Sequence, residues 1–200
     1  MTIRKGEEWG SRIPFPEVLR VAEDDADLAT YSPGEHIALR RGDMHRALGE
    51  PQVSNHASEC TSVPIDAILC RVVSKDGTVA ERFASSSVSI GSWWSGEFVV
   101  VSNSGFFGGL NIAPRSHPND GYVDLVIFEP WMTRRQRVIA RRRARTGTHV
   151  PHPHVSISRV TQYTQTKTHR RQRLSLDGRA VTEWERIDIE IVADHWTVVL

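Results

Sequence analysis

Apolar residues are sparse and irregularly spaced before Ile65, and dense and regular after it. In the first fifty positions Pro14, Pro16, Pro33, Gly34, Gly42, Gly49 and Pro51 interrupt every run. Two short helices fit between these breaks. One spans Glu17 to Leu28, with Val18, Leu19 and Val21 on its apolar side, and one starts at Asp43, which occupies an N-cap position. Neither is long enough to build a core. Residues 1–61 therefore read as an irregular arm packed on a domain of residues 62–200.

Beyond the arm the pattern is that of strands. Ile65 to Val73 is a strand-length apolar run, and Asp76-Gly77 after it is a hairpin signal. Val79 to Ile90 holds one strand or a pair, and Gly91 to Gly96 makes a turn. Phe98-Val99-Val100-Val101 and Tyr122 to Phe128 read as buried strands. His154 to Val160, Arg173 to Leu176, Ile187 to Ile191 and Trp196 to Leu200 complete the set, with Asp177-Gly178 as a second hairpin turn. Thr133 to Arg145 is the one long helix, with Thr133 as N-cap and Gly147 past its last turn. Many short strands and one helix predict a mainly β protein, an antiparallel β-sandwich.

Composition narrows the class. With 39% hydrophobic and 24% charged residues the chain is neither disordered nor fibrous. The longest apolar-rich run is strand-sized, far short of the ~18–20 residues that span a bilayer. Met1 to Glu8 lacks the apolar stretch of a secretion signal, so a cytoplasmic location is expected. Cys60 and Cys70 are too few for a metal tetrad and read as core or loop thiols, a redox pair being the alternative.

The net charge of +1 conceals an asymmetry. Residues 1–66 carry 7 basic and 12 acidic side chains, whereas Pro130 to Leu176 carries 12 Arg or Lys and no acid. Arg134, Arg135, Arg137, Arg141, Arg142, Arg143 and Arg145 crowd the helix, and a phosphate group is the natural partner of such a surface. A solvated helix whose arginines meet the acidic arm is the alternative. A nucleic acid is the less favoured partner, because no aromatic residues interleave with the arginines.

Two further segments could carry chemistry. Ser102 to Gly109 follows a buried strand, and its small residues, Asn103, Gly105, Gly108 and Gly109 among them, either admit a ligand or form a plain turn. In Asn119-Asp120-Gly121-Tyr122-Val123-Asp124, Asp120, Asp124 and the Tyr122 carbonyl could hold Mg²⁺, and the same residues also read as a turn. The His149, His152 and His154 segment lacks zinc spacing and reads as an extended lead-in to a strand.

The ordered set resembles the C-terminal domain of diacylglycerol kinase-like lipid kinases, a superfamily that includes sphingosine and NAD kinases. The set comprises Val99 to Asn103, Phe107-Gly108-Gly109, Ile112-Ala113-Pro114, Asn119 to Asp124, the arginine helix, Pro151 to Val155 and Leu176-Asp177-Gly178. The resemblance implies a β-sandwich. It implies a structural magnesium near Asp120 and the Tyr122 carbonyl, and places Asp177 in a D-G-E element whose acids activate a substrate hydroxyl. Two departures stand out. No G-G-D-G-T nucleotide motif is present, and Arg179 stands where the element has Glu; Arg cannot accept a proton. No ATP site is therefore expected in these 200 residues. The expectation is a non-catalytic sandwich that binds a phosphate-bearing or lipid ligand or a partner chain, forms a homo-oligomer, and is cytoplasmic or peripheral at the membrane. The alternatives are a kinase half-site completed by a separate ATP-binding chain, and a nucleic-acid binder.

Overall fold

The computed structural model describes residues 9–52 and 58–200. The Met1 to Glu8 segment examined for a secretion signal, and residues 53–57 of the arm, lie outside them. The arm contributes β1 (Ser11–Pro14), β2 (Arg20–Ala22), α1 (Asp25–Leu28), β3 (His36–Leu39) and α2 (Asp43–Ala47). There follow β4 (Glu59–Val73), β5 (Val79–Ala84), β6 (Ser87–Ser92), β7 (Ser95–Ser102), β8 (Phe106–Phe107), β9 (Leu110–Asn111) and β10 (Val123–Phe128). After α3 (Arg134–Ala144) come β11 (Val155–Val160), β12 (Gln162–Thr166), β13 (Leu174–Leu176), β14 (Arg179–Val181) and β15 (Arg186–Val199).

Two sheets form the sandwich. One runs β1-β4-β15-β3-β2, with β5 also on β4 and β12 also on β15; the other runs β11-β10-β7-β6-β13-β14. A core of Ile68, Cys70, Val72, Val88, Ile90, Val99, Val101, Leu174 and Ile187 fills the space between them. The outer face of the second sheet is also covered. There Phe98, Val100, Val126 and Phe128 pack with Met132, Ala140 and Ala144 of the α3 region. Hence Phe98-Val99-Val100-Val101 shows no polar alternation: odd and even positions of β7 are buried against different partners. Cys70 is a free thiol within the main core.

Local chemistry explains the ends of the elements. Asp76-Gly77 joins β4 to β5, which pair from Val73↔Val79 to Ile68↔Ala84. The β13–β14 turn is Asp177 (φ 44) and Gly178 (φ 79), the two left-handed positions that a tight hairpin requires. Thr133 caps α3 in a reciprocal box with Gln136.

The arm is more regular than its pattern predicts. The expected helix over Glu17–Leu28 is instead β2 followed by α1, because Val21 pairs with Ala38 in parallel and Asp24 caps the helix only from Asp25. β3 in turn pairs in parallel with β15 at Thr197↔His36. These parallel contacts depart from the antiparallel rule of the rest. They bury Leu28, Ile37, Leu39 and Met44 against Val63, Ile65 and Trp196. The two strands expected after Arg186 are one, β15, bent between Val192 and Trp196, where Asp194 has φ 52. Polar β12, short β14 and the β8–β9 hairpin carry no apolar run that would have announced them.

One arginine of the basic helix is internal. Arg137 is 1% exposed and donates through Nε to the Met132 carbonyl at 3.1 Å, through Nη1 to the Trp93 carbonyl at 2.8 Å, and through Nη2 to the Glu129 carbonyl at 2.9 Å and to the Gly96 carbonyl. It thereby ties both the β6–β7 turn and the loop before α3 to the helix. Burial pulls its pKa below the usual guanidinium value. Arg137→Met keeps the bulk but removes the guanidinium from four carbonyls, of which that of Glu129 keeps the Met132 amide at 3.2 Å. We expect a loss of about 3–5 kcal/mol in urea denaturation. A loss below ~1 kcal/mol would show that water satisfies those carbonyls instead.

Candidate functional site

The chain leaves one sheet at the end of β5 and enters the other at the start of β6, so Ser85 and Ser86 form a corner. Their amides, with that of Ser87, converge on Asp177. Ser85 N donates at 2.7 Å to Oδ2, and Ser86 N and Ser87 N donate at 2.9 and 2.8 Å to Oδ1. Asp177 N donates back to Ser87 O at 2.8 Å. Removal from water raises the Asp177 pKa to about 6, while the three amides oppose the rise.

The arm brings two more carboxylates to the same place. Asp25 receives Asp43 N on Oδ2 at 2.6 Å and Met44 N on Oδ1 at 3.1 Å, so it caps α2 from a distant point in the chain. Gly42, at φ +121, is required there, since a Cβ would lie 2.2 Å from Asp25 Oδ1. Burial, and then the charge of Asp177, push the Asp25 pKa up to about 7. Ser85 Oγ joins the groups, donating to Asp25 O at 2.9 Å and lying 3.4 Å from Asp177 Oδ2. Asp43 does not cap α2 as its position suggests; Gly42 occupies the N-cap. Its carboxylate instead accepts from Gly108 N at 2.5 Å and Gly109 N at 2.8 Å.

Asp25, Asp43, Asp177, Gly108, Gly109 and Arg46 line one cleft of about 390 Å³. Arg46 lies 3.7 Å from Asp43 and 3.4 Å from Glu50, so its charge is shared with acids. The cleft is therefore acidic, and burial raises the proton affinity of two of its carboxyls, Asp25 and Asp177. Such groups can donate or accept a proton, or bind a cation or hydroxyl. An anion would have to displace Asp43 from the two glycine amides.

The other sequence-derived candidates lie elsewhere. Asn103 is fully buried and donates through Nδ2 to the Asp66 and Ser85 carbonyls at 2.8 and 3.2 Å. Gly105 backs onto the Ala113 carbonyl, 2.7 Å from where its Cβ would stand, so this half of the Ser102–Gly109 segment is internal scaffolding. Arg134, Arg135, Arg141 and Arg142 are exposed on α3 and do not line the cleft. Arg179, at the start of β14, points toward Asp24 at 3.9 Å.

Around Asn119-Asp120-Gly121 the organiser is Asp66, which the sequence did not single out. Its buried carboxylate accepts from Asn119 Nδ2, Gly121 N and Asp194 N at 3.1, 2.8 and 2.9 Å, and burial raises its pKa. Asp120 pairs with the Arg159 guanidinium and accepts from Tyr122 N at 3.1 Å. Asp124 is buried on β10, its pKa raised by desolvation. As arranged, the half-exposed Arg159 guanidinium stands on Asp120, so a divalent ion held by Asp120, Asp124 and the Tyr122 carbonyl would have to displace it. Among the described residues no three His, Cys, Asp or Glu side chains form a metal-holding group.

A two-sheet sandwich with an Asp-Gly hairpin at the sheet-to-sheet corner defines a recognisable class. The sequence model of the YegS C-terminal NAD kinase beta sandwich-like domain matches residues 72–192, and the chain belongs to that family. Among solved structures, a Bacillus anthracis str. Sterne protein assigned as a diacylglycerol kinase superposes with a TM-score of 0.55 at 14% identity, over 90% of this chain and 77% of its own. A second structure under the same assignment from that organism gives 0.52 at 13% identity, over 90% and 76%. Yeast NADH kinase complexed with NADH gives 0.53 at 9% identity, over 90% and 60%. At such identities the likeness is one of fold. No curated protein matches the sequence.

The acidic cleft couples folding to pH. A carboxyl whose pKa is higher in the folded than in the unfolded chain stabilises the fold fully below its ordinary value, and that contribution is lost as pH rises through the folded pKa. For Asp25 the window runs from about 4 to about 7. We expect stability to fall by on the order of 2–4 kcal/mol across it. Asp25→Asn should flatten that slope in denaturation curves taken at several pH values; an unchanged slope would clear Asp25 of the effect.

Proposed function

We propose that this domain is a non-catalytic, ligand-binding form of the sandwich, and that it takes a phosphate-bearing ligand on the exposed face of α3. The observation that carries this reading is that Arg134, Arg135, Arg141 and Arg142 are exposed and, among the described residues, have no ion-pair partner. Among the described residues the acids of the arm do not pair with them; those that form ion pairs meet Arg20, Arg40, Arg41, Arg46 and Arg179 instead. The cleft supports the same reading from the other side. Its carboxylates are committed to backbone amides, and its Gly108 and Gly109 amides to Asp43. Arg179 adds a fixed positive charge beside the element that, by resemblance, would carry a second acid.

A second reading rests on Asp25 and Asp177. Two carboxyls that titrate near neutrality in one cleft suit the removal of a proton from a hydroxyl. On that reading the domain is a kinase half-site, and another chain or domain supplies the nucleotide.

Calorimetry with glycerol 3-phosphate, as a soluble phosphomonoester, separates the two. The first reading expects binding that weakens at least tenfold in Arg134→Gln/Arg142→Gln; unaltered binding in that variant, or none in the parent, overturns it. ATP-dependent phosphorylation of diacylglycerol in a mixture with a lipid-kinase nucleotide-binding domain, abolished by Asp25→Asn, would establish the second reading in its place.

A further inference from the structure

The arginines of α3 do not stand alone. Arg137 fastens to the helix the β6–β7 turn, which carries Trp93 and Trp94, and the loop before the helix, which carries Trp131. Trp93 is buried, but Trp94 and Trp131 are 49% and 67% exposed, and on the helix Val138 and Ile139 are 38% and 39% exposed. Arg141 bridges the parts, its guanidinium 5.8 Å from the Trp93 ring centre and 5.9 Å from that of Trp94. At helical spacing Arg134, Val138, Arg141, Arg142 and Arg145 share one side, while Ala140, Ala144 and Arg137 face the core. Exposed Trp94 thus stands against Arg141, and exposed Trp131 precedes Arg134 by three residues, so exposed rings and cations without acid partners occur together around α3.

Each component has its own requirement. Indole rings, with an apolar body and one N–H, favour the boundary between headgroups and acyl chains. Guanidinium groups favour phosphate, and their stems cover apolar surface. A flat anionic bilayer satisfies both at once, whereas a small phosphorylated solute leaves the rings exposed. A nucleic-acid duplex would satisfy the cations but offers nothing to two tryptophans placed in separate loops.

We propose that this face docks the protein on an anionic lipid bilayer, with Trp94 and Trp131 entering the interfacial layer and Arg134, Arg135, Arg141, Arg142 and Arg145 meeting lipid phosphates. The inference deepens the phosphate-binding reading by naming the source of the phosphate. It requires no membrane-spanning segment, and among the described residues no helix is long and apolar enough to be one.

Co-sedimentation with phosphatidylcholine vesicles, with and without phosphatidylglycerol, tests the proposal. Binding should require phosphatidylglycerol, fall with salt, and weaken about fivefold for each arginine replaced by Gln. Brominated acyl chains should quench tryptophan fluorescence in the parent protein. Trp94→Ala/Trp131→Ala should lose that quenching and most vesicle binding, yet keep its far-ultraviolet circular dichroism, its cooperative unfolding transition and its affinity for glycerol 3-phosphate. If vesicles fail to bind while glycerol 3-phosphate still does, the bilayer is wrong and the phosphate reading survives. If neither binds, both fall. Tighter binding to a DNA or RNA duplex than to the anionic vesicles would overturn the proposal in favour of nucleic acid.

Discussion

Ser85 and Ser86 turn the chain from one sheet into the other, and a corner of that kind leaves backbone amides without ladder partners. Asp177 supplies the missing acceptors from a hairpin about ninety residues away. Asn103 satisfies the Ser85 carbonyl from behind, and Ser85 Oγ reaches the backbone of Asp25. Because unpaired buried amides are expensive, this one carboxylate fixes the relation of β5, β6 and the β13–β14 hairpin. The arm then builds on it: Asp25 caps α2, and α2 presents Asp43 to the amides of Gly108 and Gly109. A relay of carboxylates on backbone N–H groups joins arm and sandwich.

That relay gives the molecule two electrostatic characters. At the corner, Asp25 and Asp177 are gathered out of water and their affinity for protons rises; on α3, cations are left in water and, among the described residues, meet no acids. A chain of nearly zero net charge thus separates its charges in space. The family's fold is preserved while the chemistry of its cleft depends on how tightly these carboxylates are held. The exposed arginines lie on the helix, away from that cleft.

Much of the sandwich could be read from residue order. The Asp-Gly turns, the β7 run and the Thr133 cap each depend on neighbours close in sequence. The arm could not be read in the same way. Its strands are three or four residues long; β1 pairs antiparallel with distant β4, and β2 and β3 pair in parallel with each other and with β15, so no local turn announces them. Of the site, Asp177, Gly108 and Gly109 were legible from the resemblance. Asp25 and Arg46 were not, because nothing near Asp25 in sequence shows that it caps a helix eighteen residues on. Arg137 is the converse case: its neighbours make it look like another surface cation, and only packing takes it inside. The position of Asp43 reads as the cap of α2, but Gly42 holds the N-cap and the Asp43 carboxylate goes to the Gly108 and Gly109 amides.

The sequence by itself determined the family, the sandwich and the separation of charge along the chain. Periodicity, turn residues and composition are all local or additive properties. Tertiary structure alone decided which charges meet. It placed three carboxylates in one acidic cleft, closed the glycine amides with Asp43, buried Arg137, and set Trp94 of the β6–β7 turn against Arg141. Those outcomes depend on contacts between residues tens of positions apart. A side chain's charge is written in the sequence, but its solvent and its partner are properties of the folded chain.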